Sequence, residues 1–422
     1  MLDKKNFCIQ PWIHFASYNS GEVPLCCVAK PEVGLNLNNQ SPIMIWNSEN
    51  FKKARISFLN GERISQCSTC WSEEDSGIIS HRQIENKLWI NNLGQEFVEN
   101  LIKNTKEDGS VDTNPITLDL RIGNTCNLQC VMCRPMDSSK WLNDSKKLSE
   151  ILVYPTAKSD WEFKANSIDD TKMFDWFHLE HNQESLQYLA PDIKHIIFGG
   201  GEPLLIKDHE AFIKYLVDTG DCEHIVLRYH TNATVLKDKF FDLWKKFKGV
   251  ELSLSIDDWA ERNEYVRYPA DWATIYENLK ILDNSPNNIK VNILTTVHAM
   301  NVYNLPNFAM KLVDQKFKKI GVKHFGLFYV GFTHWPKYLS LTVLPKEIKK
   351  QIINHWESFD FLNQHVFWQK RIKSQLDLMN SQDNSHLFLD LLDYIEKLDS
   401  IRPIKFKDVY NDYYNILRNH YE

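Results

Sequence analysis

The chain has 422 residues, 43% of them hydrophobic and 25% charged, with a formal net charge of −6, a length and composition that suit a globular protein of two or three cores. The mildly acidic balance supplies no basic face for nucleic acid. No run of 18 or more apolar residues is present to span a membrane, and the first residues carry no apolar signal segment, so a cytoplasmic location is expected.

Residues 1–85 are loop-rich, broken by Pro11, Gly21, Pro24, Pro31, Gly34, Pro42 and Gly61. They hold Cys8, Cys26, Cys27, Cys67 and Cys70, and show helical period at 48–60 and from 81 to 103. Residues 86–115 read as a helical linker that ends in the polar turn 106–110. From 116 the pattern alternates. Short apolar runs at 116–122, 193–198, 224–229, 250–256, 290–297 and 323–330 are separated by helix-period segments at 207–219, 237–247, 271–282 and 305–315. Buried strands alternating with helices predict an α/β fold with a parallel sheet, and six β/α units fit a partial barrel better than a closed eight-fold one. The span 135–190 is too long for one crossover and predicts inserted helices. The barrel is expected to occupy 116–335, and a helical C-terminal region 336–422, with helices at 346–359, 364–379 and 386–398.

Cytosolic thiols stay reduced, so nine cysteines, eight of them in the first third of the chain, point to metal or redox chemistry. Cys126, Cys130 and Cys133 form a CX3CX2C loop directly after the first predicted barrel strand, the end at which such folds place chemistry. A structural zinc site wants four closed ligands, and no fourth Cys or His lies nearby. Three thiolates on a four-iron cluster instead leave one iron open to a small molecule. The residues alone favour the cluster and leave zinc open.

This loop resembles that of the radical S-adenosylmethionine (SAM) superfamily, and later segments match in order. Gly200-Gly201-Glu202-Pro203 at the end of the second strand looks like the family's GGEP segment, which receives the methionine amino group. Asn232 follows Thr231 where the family has Thr-Asn-Gly, with Ala233 in place of the glycine. Ser255 and Asp257 resemble its ribose- and methionine-facing residues. Arg267 matches an arginine that pairs with the methionine carboxylate, and Asn301 is an adenine-side candidate. The resemblance implies a (β/α)6 TIM-like partial barrel. It also implies a SAM-binding [4Fe–4S] cluster on Cys126, Cys130 and Cys133, and reductive cleavage of SAM to a 5′-deoxyadenosyl radical that abstracts hydrogen from substrate.

Cys8, the GX4C segment Gly21–Cys26, and Cys67-x-x-Cys70 resemble the SPASM/twitch auxiliary-cluster pattern. The helical stretch that includes Trp46, Phe51 and Arg55 is similar to one in that family. Here the module precedes the barrel, and the later cysteines of a full SPASM module are absent. The resemblance thus implies one auxiliary [4Fe–4S] cluster on Cys8, Cys26, Cys67 and Cys70, saturated by four thiolates and suited to electron relay. A zinc ribbon is the other reading of these four. Cys27 is spare, a small buried hydrophobe or a hydrogen donor to a substrate radical.

By this resemblance the chain is expected to be an oxidoreductase or maturase that modifies a peptide, served by a flavodoxin- or ferredoxin-type reductant. The alternatives are a dehydrogenase or epimerase of a sugar, cyclitol or nucleotide-linked metabolite, and a non-catalytic iron–sulfur or zinc scaffold. A membrane or nucleic-acid partner is not expected.

Overall fold

Strands form where apolar side chains alternate or run together, and helices where they recur at a period of 3.6. The computed structural model describes residues 5–75, 77, 79–320, 328–333, 335–360 and 366–420. Among these are seven strands, β1 His14–Ser17, β2 Thr117–Arg121, β3 His195–Gly199, β4 Val226–Thr231, β5 Gly249–Ser255, β6 Ile289–Val297 and β7 Phe328–Phe332, whose order in the sheet is their order in the chain. Six correspond to the six predicted runs, although 323–327 of the last lie outside the described residues. The seventh, β1, comes from the N-terminal cysteine-rich segment, where no strand was expected. It is only four residues long, His-Phe-Ala-Ser, too short to show a period.

Two compact units divide the chain, one of residues 1–124, 170–229 and 238–250, the other of 125–169, 230–237 and 251–422. They do not coincide with the segments 1–85, 86–115, 116–335 and 336–422. Each unit draws on more than one of these, because a parallel sheet gathers strands that are distant in sequence.

In the first unit, β1 pairs parallel with β2, β2 with β3 and β3 with β4, with His14 opposite Thr117 and Thr117 opposite His195. Side chains alternate across a strand. Leu118, Leu120, Ile196, Phe198, Leu227 and Tyr229 are buried on one face, where helices cover them. Phe15 stacks on Phe51 of helix Glu49–Leu59, Phe198 meets Phe212 of Lys207–Thr219 edge-on, and Tyr229 packs on Trp244 of Asp238–Trp244. Burying such aromatic area is worth roughly 1.5–3 kcal/mol per side chain. The opposite face is polar, with Thr117, Asp119, Arg121, His195 and Arg228. Part of it is covered by helix His81–Leu93, whose Trp89 meets His195 edge-on at 5.4 Å. That helix starts at a capping box, Ser80 with Gln83, and stops at Gly94 with φ +86°. The expected helix over 81–103 is therefore two helices, the second Gln95–Lys103.

In the second unit, β6 pairs parallel with β7. The predicted insertion holds helices Trp141–Ile151 and Pro155–Ala165, and Glu180–Leu189 lies in the first unit. Trp141, Trp161, Tyr338 and Tyr394 form an aromatic core, with ring centroids 4.7 Å apart for Trp141–Trp161 and 5.1 Å for Tyr338–Tyr394. Two buried aspartates of helix Phe388–Ile401 cap the start of Pro155–Ala165. Asp393 accepts from the amides of Val153 and Tyr154, and Asp390 accepts from that of Ala157 at 2.8 Å. Orphan N–H groups at a helix start are thereby satisfied from another helix. Helices Lys346–Glu357, Val366–Ser381 and Phe388–Ile401 match the predicted C-terminal ones, of which 364–365 lie outside the described residues. Phe406–Val409 and Asn411–Asn419 are additional.

Candidate functional site

The loop that carries Cys126, Cys130 and Cys133 belongs to the second unit, and its backbone is held from several sides. The Val131 amide donates to Val266 O at 2.8 Å, and the Cys133 amide to Cys130 O at 3.0 Å. Trp141 Nε1 donates to Cys130 O at 3.1 Å, Tyr394 Oη to Val131 O at 2.7 Å, and Arg402 Nη2 to Gln129 O at 2.5 Å. With its carbonyls satisfied in this way, the loop keeps one shape and leaves its sulfurs for other work. Cys130 is buried, while Cys126 and Cys133 are half-buried.

Electrostatics favour a negative sulfur at Cys130. Arg267 Nη1 lies 3.7 Å from Cys130 Sγ. A hydrogen bond from Cys133, followed by the charges of Arg267 and Arg402, outweighs burial and Asp257 and brings the Cys130 thiol down to about 7. The same hydrogen bond, with burial, pushes Cys133 up. Cys126 Sγ accepts from the Leu128 amide at 3.5 Å and from Asn232 Nδ2 at 3.9 Å.

Asn232 thus stands beside Cys126, and it also donates to Asn127 Oδ1 at 2.9 Å and accepts from the Thr234 amide. Ala233, in the glycine's place, has φ +61°, a left-handed conformation that costs a side-chain-bearing residue about 1–2 kcal/mol. Asp257 and Arg267 form a buried pair. Nη2 donates to Oδ1 at 3.0 Å, and Oδ1 also accepts from the Thr296 amide. Nε is 2.8 Å from Oδ2 but is not aligned for a hydrogen bond, so both atoms are buried without a hydrogen-bonded partner among the described residues. A buried, charged and incompletely bonded pair beside the cysteines suits a charged ligand. The neighbouring Asp258 is taken up by Arg262 and Tyr410, and burial raises it to about 6. Ser255 closes β5. Asn301 is 2% exposed and spends its side chain inward, donating to Thr296 O and Asp257 O and accepting from the His298 amide.

Gly200, Gly201, Glu202 and Pro203 belong to the first unit. Gly200 has φ +111°, and a Cβ there would sit 2.6 Å from Gly123 O; the Gly201 amide donates to that same carbonyl at 2.9 Å. The close approach that needs a glycine at Gly200 is thus to the end of β2. Glu202 is fully buried, and its Oε1 accepts from the Leu204 amide at the start of the turn Pro203–Leu205.

The first unit also holds Cys8, Cys26, Cys67 and Cys70, all buried. Cys26 ends the loop that turns at Gly21, Cys67 ends the short turn Ser65–Cys67, and Cys70 lies on helix Ser68–Asp75. Burial pushes the thiols of Cys8, Cys26 and Cys67 up, and they are close enough for each to feel another's charge: Cys8 that of Cys67 and Cys70, Cys26 that of Cys8, Cys67 that of Cys26. Arg82 ties the module together. It pairs with Glu74 at 2.6 Å, donates to Phe7 O and Lys5 O, and lies over the Trp71 ring. Arg55, fully buried, donates to Pro11 O, Trp46 O and Gly109 O and to Asn47 Oδ1, with its guanidinium 4.7 Å from the Trp46 ring. The Trp-to-Arg stretch of the sequence pattern is therefore two helices, Pro42–Trp46 and Glu49–Leu59, whose arginine clamps backbone carbonyls. Cys27 Sγ lies 3.6 Å from His81 Nε2. Among the described residues, no three His, Cys, Asp or Glu side chains close up as the geometry of a single metal ion requires, and no helix is long and apolar enough to cross a membrane.

Tyr394, Arg402 and Trp141 hold the cysteine loop, yet nothing in the sequence pattern pointed to them. The first two stand in the C-terminal region, which carries no motif.

Residues 120–304 match the model of the Radical SAM superfamily, and residues 8–71 that of SPASM, an iron–sulfur cluster-binding domain. An uncharacterized protein of Archaeoglobus fulgidus is 30% identical over 129 residues, 30% of this chain and 29% of that protein. Among solved structures, anSMEcpe with bound AdoMet and the Cp18Cys peptide is similar at 17% identity and a TM-score of 0.33, covering 58% of this chain and 60% of that one. Streptococcus suis SuiB bound to the precursor peptide SuiA is similar at 16% identity and a TM-score of 0.36, covering 70% of this chain and 59% of that one. The chain thus spans under a third of the archaeal protein and about three-fifths of each of these structures. By these matches it carries a radical SAM domain, with an SPASM-type iron–sulfur cluster-binding domain ahead of it in the chain.

Proposed function

We propose that this chain abstracts hydrogen from a peptide and oxidises it, with Cys126, Cys130 and Cys133 as the ligands of the SAM-binding [4Fe–4S] cluster. One observation carries the reading: three loop cysteines, their backbone fixed, lie with a guanidinium 3.7 Å from one sulfur and an amide 3.9 Å from another. A guanidinium and amide so placed stabilise anionic sulfur and leave donors for a carboxylate. Bound there, a reduced cluster supplies the electron that splits SAM into methionine and a hydrogen-abstracting 5′-deoxyadenosyl radical.

The chain's own groups bind and orient. Arg267 offers its incompletely bonded Nε to the methionine carboxylate, with Asp257 fixing the guanidinium. Asn232 and Ser255 would face the ribose; the resemblance of Gly200–Pro203 to the GGEP segment assigns that segment the amino group. Asn301 contributes by holding the turn after β5, since its polar atoms are already used. Cys8, Cys26, Cys67 and Cys70 would saturate the auxiliary cluster and so suit it to electron relay. A peptide substrate agrees with the pairing of the two domains, and the reductant would be a flavodoxin or ferredoxin. In anaerobically reconstituted protein with a strong one-electron reductant, slow formation of 5′-deoxyadenosine from SAM is expected without substrate. Iron-replete protein that forms none would contradict the assignment.

A further inference from the structure

The polar face of the first unit's sheet carries two opposite charges that no hydrogen bond or ion pair joins to another group among the described residues. Asp119 and Arg121 are alternate residues of β2 and so project from the same face, about 7 Å apart along the strand. Both are half-buried. Such a pair would ordinarily bridge, but these two do not. The Arg121 guanidinium lies over the Tyr18 ring at 5.5 Å, and neither side chain has a hydrogen-bonded or ion-paired partner among the described residues. Helix His81–Leu93 covers part of this face, with Trp89 against His195. At the helix start, His81 meets Cys27 at 3.6 Å, and with Arg121 it acts electrostatically on Asp119. A third polar group is incomplete. His14, 7% exposed, bonds Thr117 Oγ1 through Nδ1 at 2.8 Å, while its Nε2 is buried with no hydrogen-bond partner among the described residues.

Half-buried charges left unpaired cost free energy, and a neutral sugar would leave both charges unpaired. A ligand with opposite charges at matching separation would satisfy both with charge-assisted hydrogen bonds. We infer that Asp119 and Arg121 form a substrate-recognition site for a zwitterionic amino-acid or peptide group, with Asp119 taking an ammonium or guanidinium and Arg121 a carboxylate. This rests on the function proposed above and names the kind of group that site receives. β2 leads into the cysteine loop five residues after Arg121, so recognition and chemistry belong to one stretch of chain.

The test uses the full chain with its clusters reconstituted and 6-aminohexanoate as probe, against hexanoate and hexylammonium, by titration calorimetry. The zwitterion should bind at least tenfold more tightly than either single ion. Asp119→Asn and Arg121→Gln should each reduce it to the single-ion level, while Asp119→Glu and Arg121→Lys should keep the preference, which separates lost charge from lost fold. Equal affinity for the three probes, or neutral variants that bind the zwitterion as tightly as the parent, would overturn the inference. SAM binding by the unaltered chain, measured alongside, reports separately on the cysteine loop. SAM bound with no zwitterion preference sinks the recognition site alone, and the converse sinks the proposed chemistry alone.

Discussion

At each cysteine set a buried arginine pairs with a carboxylate, but the two arginines spend their remaining donors differently. Arg82 gives its donors to the carbonyls of Phe7 and Lys5, so it ties chain segments around Cys8 and Cys70. Arg267 turns Nη1 to the Cys130 sulfur and keeps Nε without an aligned acceptor. The thiols do not divide in the same way: burial pushes those of Cys8, Cys26 and Cys67 up, and in the loop one shared hydrogen bond draws Cys130 down and pushes Cys133 up. These donors agree with the proposal that one set is closed and the other receives SAM. Similar cysteine spacing therefore says less about a site than the fate of the donors around it.

Removing each of the two arginines in turn tests that contrast most strongly. Arg267→Met should weaken SAM binding by about tenfold to a hundredfold, the loss of a charge-assisted hydrogen bond, and should also destabilise the fold by about 3–5 kcal/mol, because Asp257 stays buried and loses its arginine. Adding Asp257→Asn should restore much of the stability but none of the SAM binding. Arg82→Met should show a similar stability loss, through Glu74, with SAM binding retained once the protein is folded. Denaturant titration and equilibrium SAM binding read the two effects separately. If Arg82→Met loses SAM binding in a folded protein, or the double variant regains it, the contrast fails.

A smaller effect is expected at Ala233. Its φ of +61° suits glycine, so Ala233→Gly should raise stability by about 1 kcal/mol in denaturant titration. No gain, or a loss, would mean that the alanine methyl makes up the strain by packing.

Much of this was legible in the sequence. The six predicted strands and the helices between them show because each carries its own period, and the cysteine sets show because ligand spacing is local. β1 was not legible: four residues give no period, and its pairing with β2 spans about a hundred positions. Tyr394 and Arg402 were hidden for the same reason, since they reach the cysteine loop from 263 and 273 positions away with no motif around them. Arg55 was visible as part of a pattern, but only the structure gives its physical cause, one guanidinium closing three carbonyls and an amide oxygen. At Gly200 the glycine was legible while its reason was not, because the close approach is to Gly123.

The division between an open and a closed set is tested most directly by electron paramagnetic resonance of the reduced protein with and without SAM. Two forms are compared: one with Cys67→Ala and Cys70→Ala, the other with Cys126, Cys130 and Cys133 all replaced by Ala. Each should keep about half of roughly eight irons, the content of two four-iron clusters. The signal of the first form should shift when SAM is added, because its remaining cluster has an open iron. The signal of the second should stay unchanged. A SAM-dependent shift in the form that lacks Cys126, Cys130 and Cys133, or none in the other, would contradict the assignment.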